Sequence, residues 1–127
     1  VCSRCVRACE DVQGTFALTI EGRGFDSRIT AGMNESFVES ECVSCGACAQ
    51  ACPTSAISDR FESKSVEATK HTRTICTYCG VGCNLDLHVQ DNRIVKVSSP
   101  ADHDITQGNL CIKGRFGFQH VQARDSA

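Results

Sequence analysis

Ten of the eleven cysteines of this chain crowd into three short groups: Cys2, Cys5 and Cys9; Cys42, Cys45, Cys48 and Cys52; and Cys76, Cys79 and Cys83. The eleventh, Cys111, follows the third group after 28 residues. Gaps of two or three residues place several thiolates around one small volume, the arrangement used by iron–sulfur clusters and by zinc. An odd count packed this tightly does not suit separate disulfide bridges, and free thiols point to a thiol-preserving, cytoplasmic setting.

The second group reads Cys42-x2-Cys45-x2-Cys48-x3-Cys52-Pro53. Three thiolates on one tight loop can cap three irons of a single cube, and Gly46 lets the backbone approach the sulfides. A zinc ribbon needs two Cys-x2-Cys pairs and has no use for the third and fourth positions of this run. The run resembles that of bacterial two-cluster ferredoxins, in which the fourth cysteine ligates the other cluster. That resemblance implies one [4Fe–4S] cluster on Cys42, Cys45, Cys48 and Cys9, and another on Cys2, Cys5 and Cys52. The first group matches only the last three positions of the run, so the missing ligand would precede Val1. A start at valine, with Cys2 directly after it, reads as an internal piece of a larger polypeptide.

Cys76, Cys79, Cys83 and Cys111 form a further quartet, enough for a third cube, with Gly80 and Gly82 freeing backbone N–H groups to point at sulfur. Zinc is a more serious competitor here on spacing alone.

The elements that must position these groups are short. Phe16–Ile20 and Phe25–Ile29 flank Gly22-Arg23-Gly24 and predict a β-hairpin. Leu85–Val89 and Ile94–Val97 alternate apolar and polar around Asp91-Asn92 and predict a second. The charged, serine-bearing stretch from Ser58 to Lys70 reads as a linker. The expected architecture is α+β: a two-cluster ferredoxin-like domain over residues 1–60, a linker over 61–70, and a small hairpin-containing 4Fe-4S domain over 71–127.

Composition excludes more than it names. Cysteine supplies 11 of the residues in a hydrophobic class of only 41%, and there is no tryptophan, so a small domain needs metal staples to hold together. A net charge of −2 with no basic stripe argues against nucleic acid, and the apolar runs are too short to span a membrane.

A wider resemblance covers nearly the whole chain. Thr74-Ile75-Cys76-Thr77-Tyr78-Cys79-Gly80-Val81-Gly82-Cys83, followed by Gln107-Gly108-Asn109-Leu110-Cys111-Ile112-Lys113-Gly114-Arg115-Phe116-Gly117, resembles the opening iron–sulfur domain of molybdopterin oxidoreductases of the formate dehydrogenase type. Arg4–Gly14 with Gly22-Arg23-Gly24-Phe25 is similar to the two-cluster domain in the α (catalytic) subunit of NAD-dependent formate dehydrogenases. Related domains occur in respiratory NADH dehydrogenase and hydrogenase subunits.

The formate dehydrogenase resemblance implies that Cys76, Cys79, Cys83 and Cys111 hold the cluster nearest the metal–pterin, and that Lys113 lies between the two. On spacing alone Lys113 would be a surface lysine. It further implies a molybdopterin guanine dinucleotide with molybdenum or tungsten, carried with its metal ligand by the remainder of the α subunit. Catalysis would therefore lie outside this chain, and flavin/NAD-binding and iron–sulfur subunits would be partners. A redox-silent, zinc-stapled interaction module is the competing class. His71, His88, His103 and His120 are expected in surface or capping roles, and Asp102 and Asp104 in solvating the loop led by Pro100.

Overall fold

The computed structural model describes residues 1–60 and 68–122. Contacts divide the chain at Ser58/Asp59 into two compact units.

In the first unit, helix α1 (Arg4–Arg7) runs into a π-helical turn, Ala8–Gln13, that ends at left-handed Gly14. Strands β1 (Leu18–Glu21) and β2 (Arg28–Ala31) follow, then helix α2 (Ala47–Ala51). The hairpin pairs Leu18 with Ala31 and Glu21 with Arg28, and the Arg28 guanidinium donates to Glu21 Oε2 at 3.0 Å beside the turn. The predicted second strand, Phe25–Ile29, is corrected. Gly22 and Gly24 both adopt positive φ, and Gly24–Asp26 forms a 3-10 turn with Phe25 fully exposed, so pairing resumes only at Arg28. A Cβ at Gly22 would lie 2.6 Å from the Asp26 carbonyl oxygen, which is why the chain can fold back here only on glycine.

The second unit is an antiparallel sheet, β3 (Lys70–Ile75), β4 (Asn84–Gln90) and β5 (Arg93–Ser98), in the order β3-β4-β5. The Asp91-Asn92 turn has positive φ at both positions, the twist that a two-residue hairpin requires. Short helices α3 (Ile112–Phe116) and α4 (Gln119–Gln122) complete it. Most of the predicted linker, 61–67, lies outside the described residues. Its end needs correction: Thr69 N–H donates to the Val89 carbonyl at 3.0 Å, and Lys70 already belongs to β3. All six residues of β3 are exposed, so this edge strand carries no apolar alternation to betray it.

Helices of four or five residues do not persist alone, so packing must hold them. In the first unit that packing is Cys5, Val6, Leu18 and Ala31, flanked by Cys9, Ile29, Cys48 and Ile57. In the second it is Cys76, Leu85, Val97, Leu110 and Phe118, flanked by Cys83, Leu87 and Ile94. Thiols therefore stand where a larger domain would place leucines. Among the described residues no helix is long and apolar enough to cross a membrane.

Candidate metal centres

None of the eleven cysteines is in a disulfide. Their loops are wound by backbone that L-residues rarely adopt: Ser3, Ser44 and Ser55 take positive φ, as does Gly46. Such residues turn successive N–H groups toward one side, and Ser44 N–H donates to Cys42 Sγ at 3.3 Å. Hydroxyls assist, with Thr15 Oγ1 at 3.3 Å from Cys9 Sγ and Thr54 Oγ1 at 3.7 Å from Cys52 Sγ.

Residues far apart in the chain meet at these loops. Cys2, Cys5 and Cys52 line one cavity, together with Ile29 and Ile57. Cys9, Cys42, Cys45 and Cys48 line a second, and Leu18 and Phe37 border both. Burial pushes the Cys48 thiol up to about 11, and the neighbouring Cys45, Cys42 and Cys5 add to the rise. Burial raises Cys5 as well, with Cys2 and Cys52 contributing. Cys52 moves the other way: N–H groups of Ile57 and Thr54 stabilise its thiolate and bring it down to about 7.

This contrast has a measurable outcome in the metal-free chain. At pH 7 about half of Cys52 is thiolate while Cys48 is almost wholly protonated, so iodoacetamide labels Cys52 first. Mass-spectrometric mapping checks the order. Because its folded value lies below the ordinary 9.0, ionised Cys52 stabilises the fold most above pH 9, and that contribution is lost as pH falls through about 7.

In the second unit the Cys76 N–H donates to the Cys83 carbonyl at 2.7 Å, closing the loop that carries Cys79. Cys111 caps the start of α3 in extended conformation, and Cys83 is raised by burial and then by Cys76, Cys79 and Cys111. These four thiols thus share one electrostatic neighbourhood. Lys113 lies in the first turn of α3 with an exposed side chain.

The donor sets suit iron–sulfur cubes. A cube takes four thiolates, each at its own corner. A single zinc ion asks four sulfurs to converge at about 2.3 Å from one point. Among the described residues no three His, Cys, Asp or Glu side chains gather closely enough to hold one ion.

Residues 1–56 match the family described as 4Fe-4S dicluster domain, and residues 69–123 match the molybdopterin oxidoreductase Fe4S4 domain. The two units belong to these two iron–sulfur families. The chain is thus an iron–sulfur electron-transfer region of the kind found in molybdopterin oxidoreductase-family proteins. It is 35% identical over 127 residues to an NADH-quinone oxidoreductase subunit of Rhizobium meliloti (strain 1021), covering 98% of this chain and 14% of that protein. It is 30% identical over 165 residues to the probable oxidoreductase YjgC of Bacillus subtilis (strain 168), covering 98% of this chain and 17% of the relative. Against the putative formate dehydrogenase SH0748 of Staphylococcus haemolyticus (strain JCSC1435) the identity is 28% over 163 residues, covering 97% and 17%. The chain therefore spans about a sixth of the relatives' length or less.

Other polar residues of the Fe4S4 domain have partners of their own. His88 Nε2 lies 2.7 Å from Ser98 Oγ and its ring meets His71 edge-on. His103 Nδ1 accepts from Ile105 N–H at 3.3 Å. Asp102 departs from the expected solvating role and accepts from Arg73, which also holds Asp86 and lowers its carboxyl pKa. Sequence reasoning missed Tyr78, whose hydroxyl reaches His120, and the buried Arg115 of α3.

Proposed function

We propose that the chain relays electrons through three centres, held by Cys76, Cys79, Cys83 and Cys111, by Cys9, Cys42, Cys45 and Cys48, and by Cys2, Cys5 and Cys52. The first two sets are complete quartets for [4Fe–4S] clusters, and the last has three ligands in this chain. Clusters of this type accept and release single electrons. The protein's part is to present thiolates, aim N–H groups at sulfur and keep water out. Ser44 N–H on Cys42 and the Ile57 and Thr54 N–H groups on Cys52 do the second. Cys5, Cys76 and their apolar neighbours do the third.

The observation that carries this reading is the crossing of the first two cysteine groups of the sequence. Cys9 sits with Cys42, Cys45 and Cys48, and Cys52 with Cys2 and Cys5, although more than 30 residues separate them. In this reading electrons come from formate oxidation at a metal–pterin site in the rest of the polypeptide, with Lys113 between that site and the Cys111 centre. They leave to a flavin/NAD-reducing partner, in the cytoplasm. A second reading, the corresponding region of an NADH–quinone oxidoreductase, is favoured by the 35% identity over an alignment no longer than this chain.

Anaerobic analysis of iron, acid-labile sulfide and zinc tests the relay. About eight to eleven irons per chain with comparable sulfide are expected. Zinc without sulfide would make the chain a structural module. Bleaching of the cluster absorption by formate, rather than NADH, in the full polypeptide separates the two donors.

A further inference from the structure

Between Cys76 and Cys79 lies a side chain that cluster ligation does not require. The Tyr78 hydroxyl lies 3.0 Å from His120 Nδ1, and the same nitrogen lies 2.6 Å from the Gly117 carbonyl oxygen. A carbonyl can only accept, so Nδ1 bears the hydrogen and the tyrosine oxygen shares it as a second acceptor. The two rings meet edge-on, 5.7 Å between centroids. Tyr78 also presses on Gly117 so closely that a Cβ there would overlap its ring.

Gly117 is the end of α3: its N–H donates to the Lys113 carbonyl at 2.9 Å, and the helix starts at Cys111. Tyr78 thereby ties the loop bearing Cys76 and Cys79 to the far end of the helix bearing Cys111 and Lys113. At Gly114 a Cβ would stand 3.8 Å from Cys76 Sγ, so α3 itself covers that sulfur. Cys76 is only 7% exposed as a result.

We propose that the Tyr78–His120–Gly117 contact positions α3 over the Cys111 centre and sets that centre's electron affinity. The inference rests on the ligand reading given under Proposed function. A reduced cluster carries one more negative charge than an oxidised one, and solvent exposure is among the factors that set its potential. Releasing α3 admits water toward Cys76 and favours the more highly charged form. Tyr78 is a positioning residue, acting through the helix it holds.

The test is an anaerobic redox titration of the iron-loaded chain followed by electron paramagnetic resonance, with dithionite as the one-electron donor. Wild type is compared with Tyr78→Phe, which loses only the hydroxyl, and His120→Phe, which loses Nδ1 on an exposed helix. Cys111→Ala identifies the signal of the Cys111 centre. The expected result is a several-fold larger ratio of reduced to oxidised Cys111 centre at a fixed solution potential in both variants, with iron content unchanged in His120→Phe. No change, or a fall, in both variants overturns the proposal and leaves the ligand reading standing. Absence of any signal that depends on Cys111 overturns both.

Discussion

Replacing Cys48 with alanine is expected, on the proposed ligand assignment, to remove about four irons from the chain and to alter the spectrum of the centre beside it. Cys48 is in α2 with its thiol pushed up to about 11 by burial, close to Cys42 and Cys45 on one side and Cys5 on the other. It also packs against the core formed by Cys5, Val6, Leu18 and Ala31. On the proposed assignment the substitution therefore takes away a ligand of one set and a packing neighbour of the core that contains Cys5. Iron and sulfide analysis reads the first effect, and the changed resonance of the Cys2/Cys5/Cys52 centre reads the second. Unchanged iron would show that Cys48 is an ordinary core cysteine, and the ligand assignment would fall with it.

Gly117→Ala has the largest expected effect in the second unit. Backbone conformation is not the reason, because Gly117 has φ −70, which any residue accepts. Space is the reason: the added methyl would run into the Lys113 carbonyl oxygen and the Tyr78 ring. Overpacking of this kind costs about 1–3 kcal/mol, much of what a unit of this size can spare. Thermal unfolding of the iron-loaded chain should show an early transition accompanied by loss of iron from the Cys111 set. Gly80→Ala is the control, since a Cβ there meets no atom within 4 Å. Equal melting of the two variants would mean that α3 shifts freely to make room.

The parts of the structure that local chemistry dictates were readable from the amino acids. Asp91-Asn92 announces a tight hairpin because few residues accept two successive positive φ angles, and the runs on either side of it form the antiparallel pair β4–β5. Cysteine gaps of two and three residues likewise describe loops that need no distant partner. Legibility fails where the partner is distant. β3 has charged and hydroxyl side chains along its exposed length, and only its pairing with β4 makes it a strand. Phe25 reads as a strand residue because it is aromatic, yet Gly24 turns the chain so that the ring points outward. The convergence of Cys9 on the Cys42 loop came from resemblance, since spacing gives no reason to join residues 33 apart. The Tyr78 contact to His120 spans 42 residues with no periodic signal at either end.

The cores described above mix a few aliphatic side chains and Phe118 with sulfur, and no large side chain among the described residues is shielded completely. A polypeptide built this way draws much of its cohesion from the metal it recruits. Without iron the chain is therefore expected to open readily and offer Met33 and Val38, already on the surface, together with its short helices to proteases, so that iron loading slows its cleavage in limited proteolysis.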